Sequence, residues 1–345
     1  MTEFLKMKAL FYSIQKFEVA YYLNTKSDGE IKMISESLNA QTAILAKGFE
    51  IISIFTNDDA SAEIIDLLYT LGVKHITIRA AGFDNVAIKR ADEIGINVAN
   101  VPAYSPHAIA EHTIGMILTL NRKYILADKQ VKAHDFTIDK LIGFNLYKKK
   151  IGIIGTGRIG AIVTKILHGF GCEIYGYDVN PNNELKELYK IKYTTLENLC
   201  AQSDIITLHT PLNERTRYLI NEKLIKQMKP NIMIINTSRG SVVKTADIIQ
   251  YLENGQIGYF GMDVYEKEKG IYFYNHQYQS LQDSNLLKLI KMENVLITSH
   301  QAFATEEALE NIASTTKFNI KCFDKNVYCK NELTKLETKE NLISK

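Results

Sequence analysis

The chain has 345 residues, enough for two domains of ordinary size. Its 41 basic and 39 acidic side chains leave a net charge of +2, so the overall balance points to no nucleic-acid or other polyelectrolyte partner. Hydrophobic residues make up 46%, and no run approaches the roughly 18 apolar residues of a membrane span, so the expectation is a soluble protein with no membrane association. Met1 to Lys8 carries Glu3, Lys6 and Lys8 and lacks the apolar core of an export signal. Cys172, Cys200, Cys322 and Cys329 are scattered without Cys/His metal spacing. Reduced thiols, no metal and a cytoplasmic location are expected.

In chain order, Ala9 to Ser13, Glu50 to Phe55, His75 to Arg79 and Asn97 to Val101 read as short strands. Helical stretches lie between them, such as Ala60 to Leu71, closed by Gly72. These elements predict a small α/β domain with a parallel sheet. Pro102 marks a hinge, and a long helix begins near Pro106 and runs to about Ala127. His134 to Tyr147 reads as loop. From Ile151 the alternation resumes, with strands ending at Ile154, Tyr177, Leu208, Asn236, Val264 and Thr298, six in all. A six-stranded parallel sheet with intervening helices is the doubly wound nucleotide-binding fold. Glu266 to Asp283 is polar and aromatic and reads as a surface excursion. A last helix is expected from about Thr305 to Phe323, and the tail from Lys330 is expected to be partly disordered.

Lys150 to Asp178 is the most informative stretch. An apolar strand, Ile151 to Ile154, leads straight into G-x-G-x-x-G at Gly155, Gly157 and Gly160. The first glycine allows the tight turn, the second lets a pyrophosphate approach the backbone, and the third lets helix and strand pack closely. Ile159, Ile162, Val163, Ile166, Leu167 and Phe170 then supply the stripe of a helix packed on a sheet, and its N-terminus offers unpaired N–H groups to phosphate. Asp178 follows the third glycine by 18 residues, close to the spacing of a carboxylate that binds the adenosine ribose. A 2′-phosphate would be repelled there, so the cofactor expected is NAD (NADH).

In an open α/β sheet, ligands sit outside the carboxyl ends of the strands. The later strands end in His209-Thr210-Pro211, Asn236-Thr237-Ser238-Arg239-Gly240, Met262-Asp263 and Thr298-Ser299-His300-Gln301. Arg239, Glu268 and His300 could therefore converge, and they form a coherent set. An arginine fork holds a carboxylate, a histidine exchanges a proton near neutral pH, and a glutamate orients the imidazole. Each has a bland alternative as well. Arg239 could be an exposed loop charge, and Glu268 lies in the run E-K-E-K, which would ordinarily be solvated. His112 could be an interdomain packing residue, and His209 is better suited to lining the cofactor cleft than to donating protons.

At this point the chain resembles a family. N-T-S-R-G (236–240), M-D-V-Y-E-x-E (262–268) and H-Q-A-F (300–303), with G-T-G-R-I-G upstream, look like the D-isomer-specific 2-hydroxyacid dehydrogenases. R-A-A-G-F-D-N (79–85) and V-P-A-Y-S-P-H-A-I-A-E-H (101–112) are most similar to the fermentative bacterial D-lactate dehydrogenase group. The resemblance implies that Arg239 holds the substrate carboxylate, His300 is the general acid for pyruvate reduction and Glu268 supports the histidine. It further implies substrate contacts from Phe55, Ala81, Gly82, Tyr104 and Phe303. On the cofactor side it implies Arg158 and Ile159 at the pyrophosphate and Asp178 at the ribose. Thr210, Pro211, Thr216, Thr237, Ser238 and Asp263 would surround the nicotinamide half.

The family architecture implies two doubly wound domains. A Rossmann NAD-binding domain, 104–303, would be inserted into a smaller flavodoxin-like substrate domain, 1–103, which 304–345 completes. The domains would close on the cleft by hinge motion, and no added regulatory domain is expected after them. The activity expected is an NAD-dependent D-lactate dehydrogenase in a homo-oligomer, dimer or tetramer. Two alternatives stand beside it: the same chemistry on a bulkier 2-keto acid, and a non-catalytic NAD-sensing binding protein.

Overall fold

The computed structural model describes residues 8–23 and 30–334. They fall into two compact units: residues up to Ser105 together with those from Ala304 onward, and Pro106–Phe303.

The first unit is built on five parallel strands: β1 (Ala9–Phe11), β2 (Ile31–Met33), β3 (Ile51–Ile54), β4 (His75–Ile78) and β5 (Asn97–Ala99), in the order β2-β1-β3-β4-β5. This is the flavodoxin-like order. Side chains alternate between the faces, as the two-residue period of a strand requires. Leu10, Ile52, Ile54, Ile76 and Val98 pack on one face with helix Ala62–Thr70. Ala9, Phe11, Ile51 and Ala99 pack on the other with Ile320 and Phe323 of helix Glu306–Asp324. β2 was not among the expected strands. It is a three-residue edge strand, none of it fully buried, so no apolar run marks it.

Of the tail expected to be partly disordered, residues 330–334 are held against the first sheet. Leu333 N donates to Val98 O at 2.7 Å, Asn100 N donates to Asn331 O at 3.2 Å, and Thr334 Oγ1 accepts from Val98 N at 3.2 Å. Residues 331–334 thus lie along the otherwise open edge of β5, where unpaired backbone groups would be costly. The remainder of the tail lies outside the described residues.

The second unit has seven parallel strands: β6 (Lys150–Ile154), β7 (Glu173–Tyr177), β8 (Lys192–Tyr193), β9 (Ile205–Leu208), β10 (Ile232–Asn236), β11 (Ile257–Met262) and β12 (Val295–Ile297). Their order is β12-β11-β10-β9-β6-β7-β8. Six were expected; β8 adds a two-residue edge with no apolar run of its own. Ile151 and Ile153 of β6 pack beneath helices Pro106–Arg122 and Arg158–Gly169, and Ile154 faces the opposite core. The order reverses at β6, so the crevice outside β6 and β9 is the topological switch point.

The long helix ends at Arg122 rather than near Ala127. Lys123 takes φ 52°, a left-handed conformation that breaks the backbone hydrogen-bond ladder, and a separate helix, Tyr124–Lys132, follows. No helix among the described residues is long and apolar enough to cross a membrane.

Candidate active site

The glycine loop has the geometry of a phosphate cradle. A side chain at Gly160 would collide with the Gly155 carbonyl, so the helix Arg158–Gly169 can meet β6 this closely only with glycine there. A side chain at Gly157 would meet open space, and Gly157 and Arg158 are exposed, with Ile159 half-buried. The helix therefore turns its N-terminal N–H groups toward an accessible surface. Asp178, at the end of β7, accepts from Thr156 N at 2.6 Å and Thr156 Oγ1 at 3.2 Å through Oδ2, and from Asn180 N at 2.9 Å through Oδ1. These bonds fix the carboxylate at the mouth of the loop.

At the end of β9, neither ring nitrogen of His209 nor the hydroxyl of Thr210 is accessible to solvent, and none has a hydrogen-bond partner among the described residues. Burial lowers the His209 pKa to about 3, so its ring is neutral across the working range and cannot serve as the proton donor. Orphaned polar atoms beside an open glycine loop fit a polar cofactor that would satisfy them. Thr216, nearby, is tied by its hydroxyl to Pro211 O at 2.6 Å. Thr237 is buried and pairs with Thr113 at 2.9 Å, and Ser238 is held by Asn236 Oδ1, 2.8 Å from its hydroxyl. The residues present thus fit a dinucleotide.

His300 sits on the turn after β12. Its Nδ1 lies 2.9 Å from Glu268 Oε1, and the two side chains are only 13% and 18% exposed. The other carboxylate oxygen of Glu268 accepts from Tyr265 N at 3.1 Å, which fixes the glutamate rotamer. The backbone of His300 is itself held, with its N–H donating to Asp263 O at 2.7 Å.

Asp263 is the anchor of this turn, a role that the strand-end pattern did not signal. Its Oδ1 accepts from Thr298 Oγ1 at 2.6 Å and Gln301 N at 2.9 Å, and its Oδ2 accepts from Ala302 N at 3.0 Å. Burial pushes its carboxyl up, but hydrogen bonds from His112 and Thr298, the His300 charge and the Ala302 N–H outweigh burial and hold it below the usual carboxylate range. His112, expected as a packing residue, joins this network, with Nε2 at 3.0 Å from Thr298 Oγ1 and 3.5 Å from Asp263 Oδ1.

Arg239 lies at the end of β10, half-buried, with Nη1 donating to Ser238 O at 2.8 Å. A side chain at Gly240 would run into the backbone of Tyr265 and Glu266. That close approach brings the Arg239 turn against the segment that positions Glu268, so the three strand ends carrying Arg239, Glu268 and His300 are contiguous. Phe303 is buried in the same unit.

Phe55, Ala81, Gly82 and Tyr104 belong to the first unit. Phe55 and Ala81 follow β3 and β4 at their carboxyl ends, and a buried charge network holds both turns. Arg79, fully buried, pairs with Glu18 at 3.1 Å, bonds Ser53 Oγ and the carbonyls of Tyr12 and Ser13, and lies under the Phe55 ring at 5.6 Å. Asp58 accepts from Phe55 N at 2.6 Å and Leu38 N at 2.7 Å. Removing one member of such a buried pair typically costs about 3–5 kcal/mol. Asn100 Nδ2 donates to Ala81 O at 2.8 Å, and Tyr104 O accepts from Asn311 Nδ2 at 2.8 Å.

Comparison with known proteins agrees with this geometry. The sequence model of the D-isomer specific 2-hydroxyacid dehydrogenase NAD-binding domain matches residues 114–302. A 2-hydroxyacid dehydrogenase homolog of Haemophilus influenzae is 42% identical over 94% of this chain and 98% of its own length. The D-lactate dehydrogenase of Escherichia coli is 40% identical over 95% of this chain and 100% of its own. The solved structure of Aquifex aeolicus D-lactate dehydrogenase complexed with NAD and lactic acid superposes with a TM-score of 0.85 at 33% identity, covering 92% of this chain and 96% of that one. A parallel-sheet fold, a glycine loop and full-length identity of this order agree on one assignment: the chain belongs to the D-isomer-specific 2-hydroxyacid dehydrogenases, oxidoreductases whose cofactor here is NAD.

Proposed function

We propose that the protein is an NAD-dependent D-lactate dehydrogenase that acts mainly as a pyruvate reductase. The observation that carries the reading is the His300–Glu268 pair at 2.9 Å, on a turn contiguous with Arg239. With Nδ1–H directed at Glu268, a protonated His300 presents Nε2–H outward as the proton donor to the keto oxygen. Glu268 fixes the orientation of the imidazole through its contact with Nδ1. Arg239 binds the substrate carboxylate through its guanidinium fork. In this reading the N–H groups of Ala81 and Gly82, the hydroxyl of Tyr104 and the ring of Phe55 are the substrate contacts assigned to the first unit, and Phe303 is an apolar contact assigned to the second. NADH, when bound, supplies the hydride. The D-lactate dehydrogenases among the similar proteins support pyruvate as the keto acid to test first.

The test is direct. Purified protein with NADH and pyruvate should consume NADH and form D-lactate, with higher kcat/KM on pyruvate than on phenylpyruvate or branched keto acids. L-lactate as product, or no turnover on any keto acid, would sink the reading, and a preference for phenylpyruvate would move it to the bulkier substrate.

Cofactor choice is assigned to Asp178. Charge-assisted hydrogen bonds are worth about 1.5–3 kcal/mol, so Asp178→Ala should raise the Kd for NADH by roughly ten- to a hundredfold and narrow the gap to NADPH. Fluorescence titration with both nucleotides measures this. An unchanged ratio would remove Asp178 from the ribose site.

A further inference from the structure

The stretch from Glu266 to Asp283, expected as a surface excursion, is in part built into the site. Tyr272 is buried, and the ring centroid of Phe273 lies 5.9 Å from that of His300, with the planes inclined by 37°. Both partners adopt the left-handed backbone region, Phe273 at φ 69° and His300 at φ 55°. A bulky side chain rarely adopts that conformation, and it persists only where surrounding contacts over-determine it.

Those contacts are present. The Glu268 carbonyl accepts from Ile271 N at 2.9 Å and from Tyr272 N at 3.0 Å, and a His276 ring nitrogen lies 3.0 Å from Ile271 O. Glu268 therefore holds the imidazole with its carboxylate and, with its carbonyl, holds the turn that delivers Phe273 to the same imidazole. A histidine ring hydrogen-bonded through one nitrogen can still swing about that bond. A second ring packed beside it removes much of this freedom.

We propose that Phe273 is a positioning residue for the reduction: its ring fixes the orientation of the His300 imidazole, so that Nε2–H points steadily at the keto oxygen. The proposal rests on the reading of His300 as the proton donor. Phe273 makes no bond in the reaction. It acts by narrowing the orientations of a group that does, and misplacement of a reacting group by about 1 Å can cost on the order of a hundredfold in rate.

The experiment compares Phe273→Ala, Phe273→Gly and Phe273→Tyr with wild type, reading kcat and KM for pyruvate, Kd for NADH and thermal midpoint. Phe273→Gly deletes the ring and also relieves the left-handed backbone. The proposal expects kcat to fall by roughly tenfold to a hundredfold in the Ala and Gly variants. NADH affinity should be unchanged, the midpoint of the Gly variant no lower than that of Ala, and activity largely restored by Tyr. Unchanged kcat overturns the proposal. So does a loss of kcat that tracks a loss of thermal midpoint or of NADH binding, since packing alone would produce that.

Wild-type turnover, measured first, separates this from the functional reading. If wild type reduces no keto acid, the Proposed function fails, and the ring contact is then read by NMR. The His300 C–H resonances, assigned by their absence in His300→Asn, should shift in Phe273→Ala as the aromatic ring current is lost. No shift would overturn the contact itself.

Discussion

His300→Gln should lower kcat for pyruvate reduction by roughly 10²–10⁴, the usual contribution of a positioned general acid, while NADH binds as before. Gln keeps a hydrogen-bonding side chain but has no dissociable proton to give. The backbone complicates the choice of substitution, because residue 300 stands at φ 55° and only a few residue types accept that region readily. His300→Asn is therefore the matched variant, since Asn tolerates left-handed backbone better than Gln. If both lose turnover and keep NADH affinity and thermal midpoint, the loss belongs to the proton. Undiminished kcat in either variant would show that the donor is another group. His209 would not be that group, because burial keeps its ring neutral.

Arg239→Lys is expected to have the second-largest effect, on a different parameter. Lysine keeps the positive charge but not the planar fork, and its ammonium is a compact, strongly hydrated point charge. Arg239 is also braced by its own Nη1–H bond to Ser238 O at 2.8 Å, which a lysine cannot reproduce while reaching a ligand. Losing one charge-assisted hydrogen bond should raise the KM for pyruvate by roughly ten- to a hundredfold, with a smaller fall in kcat. Steady-state kinetics at saturating NADH measures it. An unaltered KM would mean that the carboxylate binds elsewhere.

The elements that could be read directly were those whose side chains obey a period and are buried. β6, the helix after it and the strand leading to Asp178 all carry uninterrupted apolar faces, and Gly155 and Gly160 between them sit where a side chain would collide. Arg239, Glu268 and His300 could be picked out because parallel strands deliver their carboxyl ends to one edge of the sheet, so that separation in sequence becomes adjacency. What escaped was short or settled by tertiary context. β2 and β8 are edge strands of three and two residues, too short to display an alternation. The break at Lys123 lies within an apolar periodic stretch, with no glycine or proline to announce it. Phe273 was hidden in a run of tyrosines and charged residues that reads as solvated, because the Glu268 carbonyl, a backbone group without a sequence signature, helps to bend that run back onto His300. Asp263 reads as the polar end of a strand, and its grip on residues 298–302 depends on loops that no local pattern encodes.

The two ends of the chain share the five-stranded sheet, and this imposes an order on the birth of the protein. Phe11 and Ile51 emerge from the ribosome early, but Ile320 and Phe323, which cover their face, come last. Between Ser105 and Ala304 lie 198 residues of the other unit. At a synthesis rate of about 5–20 residues per second, the half-built sheet waits for roughly 10–40 s with one apolar face covered only in part, by Tyr22 and its neighbours. During that interval the nascent chain carries apolar surface that the last helix has yet to cover, and a chain truncated before residue 320 would keep it exposed.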